Sequence, residues 1–290
     1  MQSVVKKAVI PCGGMGTRFL PITKAVPKEI LPIIDTPVLA HIVNEAVDSG
    51  ITDILIVLGR GKESIREYFS PNRELEIALI KAGKYDLVTS LKEMNKRADI
   101  SFEYQPEPLG SGDAVARARS FTGSDPFVLS WGDDLIYSDN PVMGQLIEAY
   151  DKTGKNILGV QTVNTSDITK YGVASVGAGE GRLYDCNAIV EKPPLDKLPS
   201  RLAALGRYVL TPEIYDKIAL LKPNKGELQF TDALNALAQE GKVCAYDFEG
   251  RRYDMGDKFG ALQATVEYGL RSYEFGNEFK KYLRDLVKNL

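Results

Sequence analysis

Residues 6–21 read KKAVIPCGGMGTRFLP, a short apolar run followed at once by three glycines and an arginine. The β-branched and apolar residues up to Pro11 are typical of a buried parallel strand. Gly13, Gly14 and Gly16 leave backbone N–H groups open at the end of this strand, where a phosphate or a flat base could lie on the main chain. An ordinary tight turn, the simpler alternative, needs one glycine and no cations. We therefore expect a nucleotide or phosphate site at this turn.

Two familiar phosphate-binding motifs do not fit this turn. A dinucleotide fingerprint would need glycine where Phe19 stands, and a P-loop would need lysine where Thr17 follows the last glycine. Pro21 and Pro27 prevent a long helix after the turn, so we expect the segment 17–32 to stay extended over the end of the sheet. The cations of this segment are Arg18, Lys24 and Lys28.

The order of the remaining elements indicates an α/β fold. Short apolar strands such as DILIVL at residues 53–58 alternate with helical segments, which predicts a Rossmann-like, mostly parallel sheet flanked by helices. The glycine-rich stretch 171–194 reads as short strands and predicts a small antiparallel addition. No linker or repeat divides the 290 residues. We expect one domain over residues 1–290, with a C-terminal helical appendage at about 260–290.

The composition limits the partners and the compartment. With 36 Lys and Arg against 39 Asp and Glu, the formal net charge is -3, which gives no general attraction for nucleic acid. Cys12, Cys186 and Cys244 are far apart, odd in number and without metal-ligand spacing, which favours reduced thiols in a cytoplasmic protein. No run approaches the roughly 18 apolar residues of a membrane span. We expect a cytoplasmic protein that binds neither membrane nor nucleic acid.

The stretch GGMGTRFLP, with PK at positions 27–28, resembles the long and specific signature of the sugar-1-phosphate nucleotidylyltransferases. Further matches follow in the order of that family, and they are QPEPLGSG from residue 105, WGDD from 131, KYGV from 170, VEKP from 190 and RRYDMGD from 251. The chain is similar to the bacterial uridylyltransferases of this family over nearly its whole length. The resemblance implies a nucleotide-diphospho-sugar transferase type of fold. It also implies transfer of a uridylyl group from UTP to glucose 1-phosphate, which gives UDP-glucose and pyrophosphate.

The implied reaction brings two anions together, so positive charge must offset their repulsion. The resemblance places Arg18 and Lys28 at the triphosphate and its departing pyrophosphate, and Lys192 at the phosphate of the sugar. It also implies Mg²⁺ as the cofactor. Asp133 and Asp254 are its implied ligands, because a hard divalent cation prefers carboxylate oxygens.

Other residues implied by the resemblance contact the base and the sugar. Gln105 carries a donor and an acceptor that suit uracil, and Gly110 leaves room for the base. Glu191 is implied to accept hydrogen bonds from sugar hydroxyls. Since Glu191 and Lys192 are adjacent in an extended segment, we expect their side chains to point to opposite faces. The predicted substrate-binding residues are Cys12, Gly13, Gly14, Glu29, Gln105, Gly110, Asp134, Gly172 and Glu191.

Three residues depart from the usual lettering of the family, and they leave alternatives open. Ser111, Asp113 and Trp131 stand beside the predicted base and sugar walls, so a relative that uses dTTP or galactose 1-phosphate is the nearest alternative. A non-catalytic nucleotide-sugar sensor would not require both Lys28 and Lys192. A metal-dependent glycosyltransferase would show an acidic turn but has no need of GGMGTR. We expect a homodimer or homotetramer.

Overall fold

A computed structural model describes residues 3–94, 97–165 and 167–288. The strands in these ranges are Lys7–Cys12 (β1), Pro32–Ile33 (β2), Thr36–Pro37 (β3), Asp53–Leu58 (β4), Asp99–Tyr104 (β5), Phe127–Ser130 (β6), Asp134–Tyr137 (β7), Asn156–Thr162 (β8), Gly172–Glu180 (β9), Leu183–Glu191 (β10), Leu202–Leu210 (β11), Val243–Asp247 (β12) and Arg251–Asp254 (β13). The α-helices are Val38–Asp48 (α1), Glu63–Tyr68 (α2), Arg73–Lys81 (α3), Tyr85–Met94 (α4), Ser111–Ala116 (α5), Arg119–Thr122 (α6), Val142–Thr153 (α7), Glu213–Ala219 (α8), Phe230–Gln239 (α9), Lys258–Arg271 (α10) and Gly276–Val287 (α11).

The main sheet has the strand order β5-β4-β1-β6-β11-β8-β12-β10-β9. Strands β5, β4, β1 and β6 run parallel to one another, as the alternation of elements predicts. β11 runs antiparallel to both β6 and β8, so the sheet is mixed at its centre. β9 and β10 pair antiparallel at the far edge, where the sequence predicts an antiparallel addition. The predicted α/β class is confirmed, with more antiparallel pairing than the alternation suggested.

Helices cover both faces of the sheet, and this explains why its central strands are apolar throughout. In β1, the five residues 8–12 are all buried. On one face, α1 and α7 contribute Ile42 and Leu146 to the core. On the other face, α5 and α9 contribute Val115 and Leu234.

The cation-bearing segment 17–32 folds into turns, which corrects the expectation that it stays extended. Pro21 and Pro27 each stand directly before a single turn of 3-10 helix, because proline starts a turn readily but cannot sit inside a longer helix. Thr23 Oγ1 donates to the carbonyl oxygen of Gly16 at 2.8 Å and holds the segment against the glycine turn. The three turns are Thr17–Phe19, Ile22–Lys24 and Lys28–Ile30.

The described chain ends in α10 and α11, where the sequence predicts a helical appendage; residues 289 and 290 lie outside the described part. The two helices approach closely at Gly269, where a Cβ atom would lie 2.9 Å from Cε1 of Phe279. Across all described residues, every helix is too short or too polar to cross a membrane.

Functional groups are expected where the parallel strands of the sheet end, which we call its carboxyl edge. β1 lies between β4 and β6, and the three strands are parallel. Their carboxyl ends therefore bring the turns at residues 12–16, 59–62 and 131–133 to one place. In open α/β sheets this edge is where ligands bind.

Candidate active site

Gly13 and Gly14 leave a stretch of bare backbone between the side chains of Gln105 and Lys28. A Cβ atom on Gly13 would lie 2.8 Å from Oε1 of Gln105, and one on Gly14 would lie 3.2 Å from Nζ of Lys28. Gly59, after β4, packs as closely, since its Cβ atom would lie 2.8 Å from the carbonyl oxygen of Gly13. Side chains at these positions would fill the space above the turn, so glycine here permits a ligand to approach the backbone.

Two adjoining cavities lie along this edge. The first, of about 320 Å³, lies over the glycine turn, and we call it the glycine-turn cavity. The second, of about 250 Å³, contains Glu191, and we call it the Glu191 cavity. Ser111 and Trp131 line both, so the two are halves of one cleft. The predicted residues in the first are Gly13, Gly14, Lys28, Glu29, Gln105, Gly110 and Asp133. Those in the second are Asp134, Gly172, Glu191 and Lys192.

A third cavity, of about 220 Å³, lies beside the glycine turn and is lined by cations. Lys24, Lys28, Arg60 and Lys62 line it, and none of the described residues that line it is acidic. Lys28 and Lys62 are each paired with a carboxylate outside this cavity, Asp133 and Glu29. Such a surface suits a polyanion such as a triphosphate. Sequence reasoning missed Arg60 and Lys62, although both follow β4 at its carboxyl end, and the rule applied to β1 would have found them.

Lys28 and Asp133 form an ion pair in the glycine-turn cavity. Their side chains are 15% and 25% exposed. Burial alone raises the pKa of Asp133, but the adjacent Lys28 ammonium outweighs it and holds that pKa below its usual range. Burial likewise opposes the charge of Lys28, whereas Asp133 raises its pKa. Both groups are therefore charged at neutral pH, and a carboxylate stands next to the glycine turn.

Asp134 is held by Arg252 from the facing strand. β7 and β13 pair antiparallel, with Asp134 opposite Asp254. Arg252 Nε donates to Oδ1 of Asp134 at 2.8 Å, and its Nη1 donates to the hydroxyl of Tyr171 at 2.9 Å. Burial raises the pKa of Asp134, and Arg252 opposes that effect. Arg252 was not predicted, and it fixes one wall of the Glu191 cavity.

Arg18 and Asp254 lie near each other outside the two halves of the cleft. Asp254 Oδ1 accepts from the N–H of Gly256 at 2.9 Å, and Oδ2 accepts from the Tyr171 hydroxyl at 3.4 Å. A Cβ atom on Gly256 would collide with the guanidinium of Arg18 and lie 3.1 Å from Oδ1 of Asp254. Asp254 lines a neighbouring groove of about 950 Å³, which shares Tyr171 with the Glu191 cavity.

The carboxylates at this edge fit a magnesium ion that takes most of its ligands from substrate and water. In the described part of the chain, no three His, Cys, Asp or Glu side chains are grouped so that they could hold a metal by themselves. Mg²⁺ is commonly bound by one or two carboxylates together with substrate phosphates. The side chains of Asp133 and Asp254 are partly exposed, at 25% and 24%, so neither is sealed from solvent. A cation here would need phosphate oxygens to complete its shell.

The structure corrects the expectation that Glu191 and Lys192 point to opposite faces. β10 ends at Glu191, and Lys192 has a φ of 44°, in the left-handed region. The alternation of an extended strand therefore stops between them, and both side chains line the same cavity. Lys192 Nζ lies 3.4 Å from Oε1 of Glu191, whose Oε2 accepts from Thr231 Oγ1 at 2.9 Å. Gly172 leaves room for this carboxylate, because its Cβ atom would lie 3.3 Å from Oε2.

Cys12 and Glu29 are buried close to the glycine turn. Both carboxylate oxygens of Glu29 accept from Lys62 Nζ, at 2.6 and 2.7 Å. The Glu29 side chain is 1% exposed and that of Lys62 is 6% exposed. Cys12 is buried, and burial raises its pKa well above the usual value, so it is a thiol. The side chains of Cys12 and Glu29 are thus almost inaccessible to solvent, although Glu29 borders the glycine-turn cavity, and their predicted contact with substrate stays a prediction.

Known proteins resemble this chain in sequence and in structure. A family model described as nucleotidyl transferase matches residues 7–269. A UTP–glucose-1-phosphate uridylyltransferase of Staphylococcus saprophyticus is 46% identical over 286 residues, which is 98% of this chain and 99% of that protein. A UTP–glucose-1-phosphate uridylyltransferase of Bacillus subtilis is 43% identical over 289 residues, covering 99% of this chain and 97% of that one.

Two solved structures show the same fold. A UTP-bound UDP-glucose pyrophosphorylase of Acinetobacter baumannii superposes with a TM-score of 0.90 at 35% identity, over 97% of this chain and 99% of that one. A UDP-glucose pyrophosphorylase complexed with UDP-glucose superposes with a TM-score of 0.84 at 36% identity, over 92% of this chain and 100% of that one.

Proposed function

The chain belongs to the nucleotidyl transferase family, and we propose that it transfers a uridylyl group from UTP to glucose 1-phosphate, giving UDP-glucose and pyrophosphate. The observation that carries this proposal is the two-part cleft at the carboxyl edge of the sheet. Its glycine-turn cavity has Gln105 for a base and Lys28 for phosphate, and its Glu191 cavity has groups for a sugar phosphate.

In this assignment the nucleotide lies on Gly13 and Gly14, and its triphosphate extends to the cationic cavity. Lys28 and Arg18 offset the charge of the triphosphate and of the departing pyrophosphate. Lys192 binds the phosphate of glucose 1-phosphate and directs its oxygen to the α-phosphorus of UTP. A new P–O bond forms there while the bond to pyrophosphate breaks in line. The attacking phosphate is already ionised, so no residue has to remove a proton.

The sugar is held by groups around the Glu191 cavity. Glu191 accepts hydrogen bonds from the sugar hydroxyls, and the backbone at Gly172 approaches the ring. Asp134, fixed by Arg252, orients the acidic turn. Asp133 and Asp254 are the ligands of Mg²⁺, which lowers the repulsion between the reacting phosphates when it is bound.

Three further assignments belong to this proposal. The chain works as one domain over residues 1–290. It forms a homodimer or homotetramer, which is supported by the exposed apolar side chains of Tyr282, Leu286 and Val287 on α11. It acts in the cytoplasm, which is supported by three cysteines that are unpaired in the described chain.

A substrate panel tests the reaction. Purified protein is incubated with UTP, dTTP, CTP, ATP or GTP and with glucose 1-phosphate or galactose 1-phosphate, with and without Mg²⁺, and pyrophosphate release is measured. We expect the highest rate with UTP and glucose 1-phosphate and almost none without a divalent cation. Preference for a purine nucleotide would contradict the role of Gln105. Binding of UDP-glucose without pyrophosphate release would favour a sensor, and sugar transfer without pyrophosphate release would favour a glycosyltransferase.

Lys192→Ala tests the division of the cleft into two halves. The KM for glucose 1-phosphate should rise about 10- to 100-fold, because a hydrogen bond to a charged group contributes about 1.5–3 kcal/mol. The KM for UTP should change less than about threefold, since nothing places Lys192 at the nucleotide. Lys197→Ala removes an exposed lysine of the following turn and is the matched control. Equal losses for both substrates would contradict the role of Lys192.

A further inference from the structure

The side-chain amide of Gln105 has only one possible orientation. Its terminal nitrogen lies 3.0 Å from the carbonyl oxygen of Gly110 and 2.9 Å from Oδ2 of Asp113. A carbonyl and a carboxylate can only accept hydrogen bonds, so the group that faces both must be the NH₂. The carbonyl oxygen Oε1 is consequently turned the other way, to the side of Gly13.

Asp113 is itself held in place. Arg117, one turn later on the same helix, donates from Nε to Oδ2 of Asp113 at 3.0 Å and from Nη2 to Oδ1 at 3.4 Å. Arg117 Nη1 also donates to the carbonyl oxygen of Tyr104 at 3.1 Å. Tyr104 directly precedes Gln105, so Arg117 ties the helix that carries Asp113 to the strand end that carries Gln105.

Gln105 thus presents an acceptor to the glycine-turn cavity. Within the described ranges, no protein donor is hydrogen-bonded to Oε1, and Gln105 lines that cavity. This revises the expectation that the side chain offers a donor and an acceptor to the base, because both N–H groups are taken by Gly110 and Asp113. A ligand that fills the site must therefore bring its own N–H to Oε1.

We propose that Asp113 is a positioning residue for base specificity, which acts by holding Gln105 with its carbonyl oxygen towards the nucleobase. The inference rests on the proposed function, in which the nucleotide occupies this cavity. Uracil and thymine carry an N3–H that can donate to Oε1, whereas N3 of cytosine is an acceptor. Cytosine would leave Oε1 facing a lone pair, and sites built to pair with a substrate N–H reject the analogue that lacks it.

The test compares UTP with CTP in three variants. Asp113→Ala removes one of the two acceptors that hold the NH₂, and the ratio of kcat/KM for UTP over CTP should fall about tenfold or more. Asp113→Asn can keep an oxygen at the position that both Gln105 and Arg117 address, so it should retain most of the ratio. Asp216→Ala breaks an exposed ion pair with Arg119, 3.0 Å long, on the neighbouring helices. This matched control should leave the ratio unchanged. A general loss of folding would lower kcat/KM for UTP and for CTP by the same factor and leave their ratio unchanged.

A binding measurement separates this inference from the proposed function. Trp131 is the one tryptophan of the chain and lines the cleft, so its fluorescence can report UTP and CTP binding without turnover. An Asp113→Ala variant that is folded by thermal unfolding and keeps the wild-type ratio overturns the inference and leaves uridylyl transfer untouched. A wild-type protein that binds UTP and CTP equally overturns it as well. A third outcome is that the wild-type protein prefers UTP in binding but forms no UDP-glucose, and that Asp113→Ala loses this binding preference. That outcome refutes the proposed function and supports the inference.

Discussion

Asp133→Asn is expected to reduce kcat about 10³-fold or more, a loss of about 4 kcal/mol in transition-state stabilisation. Asparagine has the shape of aspartate but no charge. The substitution therefore removes both the ionic partner of Lys28 and the carboxylate that we assign to Mg²⁺. Lys28 holds the pKa of Asp133 below its usual range, so the wild-type side chain is a charged carboxylate at neutral pH. The variant therefore imitates a protonation that the wild type avoids at any physiological pH. The measurement is kcat over a Mg²⁺ titration, together with thermal unfolding.

A charge-matched control shows whether the position or the charge matters. Asp139 is an exposed carboxylate just after β7, and it accepts from the Tyr137 hydroxyl at 3.3 Å. Asp139→Asn removes the same charge a few residues away and should leave kcat unchanged. A folded Asp133→Asn variant with normal magnesium-dependent turnover would remove Asp133 from the metal site.

The sequence was sufficient where a local pattern determines the structure. β4 occupies residues 53–58 as the pattern predicts, because a strand buried on both faces is a continuous apolar run bounded by polar residues. The carboxyl edge of the sheet was also predictable, because the position of a parallel strand's end follows from its own residues. Lys28, Gln105 and Asp133 lie in three separate segments, and it was the resemblance to the nucleotidylyltransferases that led us to expect them at one site.

Contacts that depend on the register of distant segments could not be predicted. Asp134 faces Asp254 because β7 pairs with β13, a contact between residues 120 positions apart that no local pattern specifies. Lys192 turns into the same cavity as Glu191 because its φ is 44°, and positive φ is uncommon for lysine. The hydrogen bond between Gln105 and Asp113 was likewise not predicted, although the two residues are only eight positions apart in the sequence.

The buried pair of Glu29 and Lys62 joins the cation-bearing segment to the turn after β4, and its loss should be the largest effect on stability. Lys62→Met would leave the carboxylate of Glu29, 1% exposed, without its partner. Breaking a buried ion pair on one side typically costs about 3–5 kcal/mol, because the remaining charge is left uncompensated. Urea denaturation would measure the change in the free energy of unfolding. The control Lys155→Met breaks the more exposed pair with Asp185, 3.2 Å long, and should cost less than about 1 kcal/mol.

The double variant Glu29→Gln/Lys62→Met decides what the pair does. Replacing both partners removes the uncompensated charge, so the double variant should recover most of the stability that Lys62→Met loses. No recovery would mean that Lys62→Met acts through packing instead of charge.

The activity of Glu29→Gln tests whether Glu29 supports the glycine turn or binds substrate. If Glu29 only supports the glycine turn, the loss of UTP affinity should follow the loss of stability across these variants. A loss of UTP affinity in a fully stable Glu29→Gln variant would instead make Glu29 a substrate-binding residue, as its family resemblance implies.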